Sequence, residues 1–197
     1  MKKLISSIFI ICLAWLGYSQ NLGVRVNSAL SSEKRSNQIY GGGVFLNLND
    51  YSDNIELVLS ADIIRGKKNI NSDSVRSDHQ NFQMAIAALY PISLTKSLDF
   101  KMGTKLSYIN TFTMDQKNGS TLVNYYQSRY FGAGIIFDLQ YQGIFSSRLN
   151  LDLFISPDYI VNAKNSFSPS AFISEYSTKN TFLLNFQFGL SYKLVAK

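Results

Sequence analysis

The sequence is poor in the residues that most often carry catalysis, metal binding and covalent cross-links. Its 197 residues include one cysteine, one histidine, one tryptophan and three prolines. Cys12 and Trp15 both lie among the first twenty residues. A chain with a single cysteine cannot form an internal disulfide. We therefore expect a domain without disulfides, cofactors or metals.

Long apolar runs are equally scarce, and the one present lies at the start. Lys2 and Lys3 precede an apolar stretch, residues 4–16, and Gly17-Tyr18-Ser19 leads to a cleavage site before Gln20. This pattern is typical of a secretory signal peptide. The alternative, a membrane anchor helix, needs about 20 apolar residues. Ile11 before Cys12 argues against lipid attachment at that cysteine, because such sites need a small residue there.

The expected organisation is therefore a signal peptide, residues 1–19, and one domain, residues 20–197. Cleavage removes Lys2 and Lys3 and no acid, which lowers the formal net charge from +6 by two. No transmembrane helix is expected in the domain, and no further domain, such as a peptidoglycan-binding one, is expected after it. The basic residues are scattered rather than clustered in stripes, so a nucleic-acid partner is not expected.

What the domain has in abundance is alternation of apolar and polar residues with a period of two, which predicts β-strands with one apolar face. The predicted strands are about Leu22–Ser28, Tyr40–Leu48, Ile55–Ile64, Phe82–Tyr90, Leu98–Ile109, Arg129–Tyr141, Arg148–Ile155 and Phe182–Leu194.

The predicted connections alternate in length. Three are short, at 49–54, 91–97 and 142–147, and four are longer, at 29–39, 65–81, 110–128 and 156–181. Strands of roughly 9–11 residues joined in this way are typical of an up-and-down antiparallel transmembrane β-barrel. We therefore predict an all-β, eight-stranded barrel of this type.

Alternation alone also fits a soluble, lipocalin-like barrel with the apolar face inside. An eight-stranded barrel, however, has an interior just wide enough to be filled by side chains, too narrow for several dozen large apolar ones. The apolar face also excludes charge except for Arg129, which matches the cost of about 2–4 kcal/mol for a basic residue facing lipid. The glycines lie on the polar face, where a crowded interior needs small residues.

The polar face is therefore predicted to point into the lumen and to form a network of paired charges, five basic and five acidic: Arg25, Lys101, Lys105, Arg148, Lys193, Glu56, Asp62, Asp99, Asp138 and Asp152. Aromatic residues near the strand ends are predicted to form interfacial girdles. They are Tyr90, Phe100, Tyr141 and Tyr192 at one end, and Tyr40, Phe82, Tyr108 and Phe131 at the other.

The last strand carries the most specific motif. Gln187, Gly189, Tyr192 and Leu194 resemble the C-terminal assembly signal of outer-membrane barrels, although Leu194 replaces the preferred aromatic residue. With the signal peptide, the domain resembles small outer-membrane barrels of the OmpX/OmpA-transmembrane type. Leu89-Tyr90-Pro91-Ile92 and the cut before Gln20 are similar to the PorT-like outer-membrane β-barrel family. This resemblance implies an outer membrane of a Gram-negative (diderm) bacterium, periplasmic termini and handling by barrel-assembly machinery, and no catalytic residues.

Residues suited to catalysis are few. His79 follows Ser77 and Asp78, which suggests a hydrolase or acyltransferase site at the barrel rim, or, with Asp73 and Asp78, a metal site. Ser, Asp and His are also ordinary loop residues, and we expect neither site. A narrow solute pore is a further alternative, although paired lumen charges would plug it.

The long connections are the remaining functional surface. Their basic residues exceed the acidic ones, which suits lipopolysaccharide phosphates. The segments 159–161, 167 and 171–173 are apolar, and indicate a partner, a loop folded onto the barrel mouth or strands extended past the membrane. We expect a non-enzymatic structural or interaction role, with outer-membrane lipid, lipopolysaccharide, a surface protein or an envelope machine as partner.

Overall fold

The computed structural model describes residues 19–31, 37–49, 55–70, 75–117, 123–167 and 181–194. The predicted signal peptide lies outside these residues, apart from Ser19. The strands are β1 (Ser19–Ser31), β2 (Asn37–Asn49), β3 (Glu56–Ile70), β4 (Val75–Ser93), β5 (Leu98–Lys117), β6 (Val123–Gln142), β7 (Leu149–Phe167) and β8 (Thr181–Lys193).

The eight strands form a closed barrel. Each strand pairs antiparallel with the next, and β8 closes on β1 from Asn21↔Lys193 to Ser31↔Leu183. The predicted all-β, up-and-down, eight-stranded architecture is therefore confirmed. We call the end that holds residues 19, 193, 94–97 and 143–148 the terminal rim, and the opposite end the distal rim. In the described part of the chain, no helix is long and apolar enough to cross a membrane.

The strands are longer than the alternation indicated, and the prediction of long connections was wrong in most places. Strand β3 continues to Ile70, β4 begins at Val75, β5 continues to Lys117 and β7 to Phe167. These extensions are rich in Asn, Ser, Asp, Gln and Lys, and only short apolar alternations remain in them, at Phe112 and Met114 on β5 and at Tyr159 and Val161 on β7. They are held by the backbone ladder, as in Ile70↔Val75 and Val75↔Lys117. Pro91 also lies within β4 rather than in a turn.

The apolar face of each strand points outward. Val24, Leu106 and Phe131 are each about 60% exposed, and their inward neighbours Arg25, Lys105 and Gly132 are buried. All eight predicted girdle residues lie on the same outer surface: Tyr90, Tyr141, Tyr192, Tyr40, Phe82 and Phe131, and the half-buried Tyr108 and Phe100. Phe100 is half-buried there and stacks against Phe137 at 6.2 Å between ring centroids.

The interior is not wholly polar, which corrects the prediction of a polar inner face. Phe45 and Phe154 are fully buried inside the barrel, with edge-to-face rings 5.3 Å apart. They belong to a central apolar cluster: Phe45, Val58, Ala87, Leu89, Ile136 and Phe154. A second one, the distal apolar cluster, is Ala29, Ile109, Ile160 and Leu183, with Tyr130 against it.

Glycine makes room for the Phe45 ring in the narrow interior. A Cβ built on Gly189 would lie 2.9 Å from Phe45 Cε1, and one on Gly23 would meet Phe45 Cζ. Real Cβ atoms do not approach that closely, so a residue with a side chain at either position would displace the ring. The interior glycines of β1 and β8 are thus coupled to one large side chain on β2.

Gly189→Ala is expected to lower the free energy of unfolding by about 1–3 kcal/mol, because an added methyl overpacks the interior. Phe45→Leu in the same chain should recover most of that loss, as measured by reversible urea unfolding of the refolded barrel. Gly42→Ala is the control, since the nearest atom to its Cβ is a backbone oxygen of Arg25 at 3.2 Å. No rescue by Phe45→Leu would contradict the packing role of Gly189.

Candidate functional site

The charges inside the barrel lie in two groups. The first, the distal polar cluster, is built around Arg25 of β1 and Asp62 of β3. Arg25 Nε donates to Asp62 Oδ1 at 2.9 Å and Nη2 to Oδ2 at 2.5 Å, a bidentate pair with both side chains buried. Asn27 Nδ2 adds a third donor at 2.8 Å. This geometry satisfies the carboxylate, which a buried charge requires.

Lys105 and Asp158 form the other half of the distal polar cluster. Lys105 Nζ lies 2.5 Å from Asp158 Oδ2 and 2.5 Å from Ser156 Oγ. Ser156 Oγ donates to Asp158 Oδ1, and Asn185 Nδ2 donates to Asp158 Oδ2, both at 2.7 Å. Two cations therefore balance two carboxylates in this cluster, and side chains of five strands (β1, β3, β5, β7 and β8) meet in it.

The second group, the terminal polar cluster, lies on the other side of the central apolar cluster. On β7, Phe154 separates Asp152 from Ser156 among the inward positions, and on β3 Val58 lies between Glu56 and Asp62. The Arg25 guanidinium stands over the Phe45 and Phe154 rings, at 5.8 and 5.6 Å from their centroids. The aromatic pair is therefore a boundary between two charged layers and a cation–π partner of one of them.

The terminal polar cluster holds three carboxylates and one cation. Lys101 Nζ lies 2.7 Å from Glu56 Oε2 and 3.7 Å from Asp138 Oδ2. Asp152 instead accepts from Gln140 Nε2 at 2.6 Å and from Ser191 Oγ at 2.7 Å. Glu56 Oε1 and both Asp138 oxygens have no hydrogen-bond partner among the described residues. The charge of this cluster is therefore less completely compensated than that of the distal one.

A polar pocket of about 100 Å³ connects this cluster with the terminal rim. Glu56 and Lys101 line its inner end, and Asp99, Gln142 and Lys193 line it further out. Gln142 Nε2 donates to Asp99 Oδ2, which fixes one wall. The pocket reaches the charged layer but is bounded beyond it by the central apolar cluster.

The predicted lumen residues are placed as follows. Seven are buried inside the barrel: Arg25, Glu56, Asp62, Lys101, Lys105, Asp138 and Asp152. Asp99 and Lys193 are half-buried at the terminal rim. Arg148 was wrongly included, because it lies in the turn before β7, exposed, with its Nη1 3.3 Å from Tyr192 Oη.

Asp158 was predicted to lie in a connection and not in the lumen, which is wrong. It is 1% exposed in the interior, because β7 continues through it. With Asp158 added to the seven buried residues, the buried charges in the described part of the chain are three cations and five carboxylates, not a balanced set. The inward face of β7 follows the alternating positions Asp152, Phe154, Ser156 and Asp158. Pro157 lies between the last two, and proline is uncommon inside strands, so the sequence indicated a loop there.

The candidate catalytic residues lie in β4, not in a loop. Asp78 and His79 occupy successive positions of this strand, which belong to opposite faces. Asp73 and the side chains of Ser77 and His79 lie outside the described part of the structure. Within that part, no group of three or more His, Cys, Asp or Glu residues could hold a metal ion.

The residues of the predicted assembly signal divide between the two faces of β8. Gln187 and Gly189 are buried and point inward, and Tyr192 and Leu194 are about 40% exposed on the outside. Recognition of this segment by assembly machinery stays a prediction. The folded barrel leaves only the aromatic and apolar half of the motif accessible from outside.

Among the described residues, the strands on one flank of the barrel are longer than those on the other. Strands β4–β7 have 19 or 20 residues, whereas β1, β2 and β8 have 13. On β3, β4 and β6 the last described outward apolar residues are Ile63, Phe82 and Phe131. On β5 the polar Asn110 follows Tyr108 and is itself followed by the outward Phe112, and all four ladders continue for several residues. We call this extension the distal wall: residues 66–70, 75–79, 111–117, 123–128 and 162–167.

Solved structures of similar shape were found. Neisserial surface protein A (NspA) matches with a TM-score of 0.56 and 16% sequence identity over 90% of this chain and 97% of its own. A major outer membrane protein from Thermus thermophilus matches with a TM-score of 0.52 and 13% identity over 88% and 98%. The fold is that of the small outer-membrane β-barrels. The predicted resemblance to the OmpX/OmpA-transmembrane type is thereby confirmed.

No protein-family model matches the sequence, and no curated protein matches it. The similarity to the PorT-like family stays a prediction. Since the two structures are less than 20% identical to this chain, they establish its fold and leave its partners to be argued from its own residues.

Arg25→Met is expected to lower the free energy of unfolding by about 3–5 kcal/mol, because it leaves the buried Asp62 carboxylate without its cation. Asp62→Asn combined with Arg25→Met should recover part of the loss. Urea unfolding of the refolded barrel measures both. Arg148→Met is the matched control, since that arginine is exposed, and it should change stability little. Equal effects of the two arginine variants would contradict the proposed pairing energetics.

Proposed function

We propose that this protein is a non-enzymatic outer-membrane barrel with a lumen closed by side chains, whose distal wall is an interaction surface. In this proposal both termini face the periplasm and the distal rim faces the cell exterior. The asymmetry of the rims supports the orientation, because outer-membrane barrels have short periplasmic turns and longer external segments. The predicted signal peptide and assembly signal agree with it.

The interior supports closure rather than conduction. Two apolar clusters and two polar clusters alternate along the barrel axis, and the largest fully buried side chains include Phe45, Lys101 and Phe154. An ion entering through the terminal pocket would meet the central apolar cluster, where no polar group could replace its hydration shell. A narrow pore is therefore the weaker alternative.

The main support for an interaction role is the distal wall, the extension of strands β3 to β7 at the distal rim. On β3 the strand extends beyond its last outward apolar residue, Ile63, to Ile70, and on β5 it extends beyond Tyr108 to Lys117, with Phe112 as an exposed apolar residue in this extension. A barrel that needed only to be embedded would not need this extension, since lipid no longer flanks it. A sheet standing outside the membrane can bind a surface protein or a glycolipid, or attach to an envelope machine.

A photo-cross-linking amino acid at Phe112, an outward residue of β5 at the base of the distal wall, is expected to capture a partner in native membranes. The photo-cross-linking amino acid placed instead at Phe145, which is 86% exposed in the terminal-rim turn, is the matched control. The readout is a product of defined mass on denaturing gels, identified by mass spectrometry. Identical products at both positions, or none at Phe112, would contradict an interaction role for the distal wall.

A rim-site lipid hydrolase or acyltransferase is the competing function, because the chain has one histidine near the distal rim. His79→Ala should leave the lipid A and phospholipid profiles of the host unchanged, since His79 and Asp78 lie on opposite faces of β4. Mass spectrometry of extracted lipids measures this, with a strain lacking the protein as the reference. A profile in the variant that reproduces a defect of the deletion strain would overturn the non-enzymatic proposal.

A further inference from the structure

We call the outward apolar residues of the eight strands the apolar belt. One stretch of the outer surface beyond it carries polar and basic side chains and irregular strand pairing. At the first outward position beyond the belt, β3 to β6 carry Arg65, Gln80, Asn110 and Arg129. Gln127 lies one outward position further on β6, and its Nε2 donates to Asn110 Oδ1 at 3.1 Å. We call these five residues the polar shoulder.

The register brings the shoulder residues together across four strands. Arg65 pairs with Gln80 across β3 and β4, and Arg129 pairs with Asn110 across β5 and β6. Phe112 pairs with both Gln80 and Gln127 and so connects the two halves. The backbone positions of Arg65 and Arg129 therefore lie on one flank, about three strand spacings or roughly 15 Å apart around the wall.

Both arginines are exposed and adjoin an irregularity of the ladder. Between β2 and β3 the register shifts directly beyond the Tyr40↔Arg65 pair, and between β6 and β7 it shifts between Arg129 and Tyr130. Such bulges occur at barrel rims and re-aim a side chain. In the described part of the chain neither arginine has an ion-pair partner. Asp78, the next outward residue on β4, has an interaction of its own.

The surroundings of the shoulder limit what it can bind. Directly below it lie the outward apolar residues Ile63, Phe82, Tyr108 and Phe131, and the exposed Phe112 lies within the shoulder between Gln80 and Gln127. On the other flank, the last described outward residues are apolar: Tyr159 and Val161 on β7, Phe182 and Leu184 on β8, and Leu30 on β1. Among the described residues these cationic and amide groups lie above an apolar wall on one flank, and such an arrangement complements an amphiphile with an anionic head.

We propose that the polar shoulder binds the phosphorylated sugar headgroup of a glycolipid in the outer leaflet. Arg65 and Arg129 pair with its phosphates, since a guanidinium fork matches phosphate oxygens. The amides of Gln80, Asn110 and Gln127 face its hydroxyl and amide groups, and its acyl chains lie on the apolar belt below. The proposal rests on the orientation given under the proposed function, in which the distal rim faces the cell exterior.

The test is titration of the refolded full-length mature barrel, in uncharged detergent micelles, with three lipids followed by native mass spectrometry. The lipids are bis-phosphorylated lipid A, the same lipid A after enzymatic dephosphorylation, and phosphatidylglycerol. The variants are Arg65→Gln/Arg129→Gln and, as a matched control at the terminal rim, Arg148→Gln. Heat-modifiable gel migration verifies that each variant is folded.

The wild-type protein should prefer phosphorylated lipid A, and the double variant should bind it about tenfold more weakly, given the strength of charge-assisted hydrogen bonds. Arg148→Gln should bind like the wild type, and dephosphorylation should remove the difference between wild type and double variant. An unchanged affinity in the double variant, or an equal loss in Arg148→Gln, would overturn the site. Equal binding of phosphatidylglycerol would overturn the glycolipid as its ligand.

If the double variant does not fold, the wild-type protein still decides the matter, because binding that survives dephosphorylation would refute a phosphate site. The outcome is also separable from that of the proposed function. Lipid selectivity without a cross-linked partner at Phe112 would support the shoulder alone. A cross-linked protein without lipid selectivity would support the distal wall and overturn the shoulder.

Discussion

Lipid offers neither hydrogen bonds nor solvation for charge, and the rest of this structure depends on that constraint. Every backbone group at membrane depth must find its partner in the sheet, so the sheet has to close. The pairing of β8 with β1 achieves this from Asn21 to Ser31. Closure gives each strand one face toward lipid and one toward the interior, and only the uncharged face can contact lipid. The apolar periodicity of the sequence is the consequence.

The same constraint shapes the interior. Charges excluded from the outer face are confined in a narrow space where an unpaired charge is costly. The distal polar cluster meets this with a bidentate Arg25–Asp62 pair and a Lys105–Asp158 pair. The terminal polar cluster has an excess of carboxylates but lies next to a pocket at the rim. Phe45 and Phe154 separate the two, and glycines on β1 and β8 accommodate the Phe45 ring.

Much of the fold could be predicted from the sequence, because lipid-facing alternation is a strong and local signal. All eight strands and their order followed from it. The distal wall did not, because residues 75–81 of β4 are mostly polar at successive positions, and on β5 only Phe112 and Met114 continue the apolar alternation beyond Tyr108. The burial of Phe45 and Phe154 inside the barrel was not predicted, because they occupy positions on the otherwise polar face. Alternation along one strand does not show which space between strands an aromatic ring fills.

The interior charges were predictable as a set but not as pairs. Arg148 has the polarity of a lumen residue and yet lies in a turn, and Asp158 was hidden by Pro157 in the middle of β7. Pairing depends on the shear of the barrel, which brings Arg25 next to Asp62, 37 residues away. The polar shoulder depends on the same register, since only the assembled sheet places Arg65 and Arg129 on one flank.

The placement of the apolar face against lipid and of the charged face inside the barrel can be tested by cell fractionation combined with heat-modifiable gel migration. The protein should be recovered in the outer-membrane fraction, and the unheated sample should migrate differently from the boiled one because the closed barrel resists detergent. Recovery from the soluble periplasm, with identical migration before and after boiling, would contradict the account.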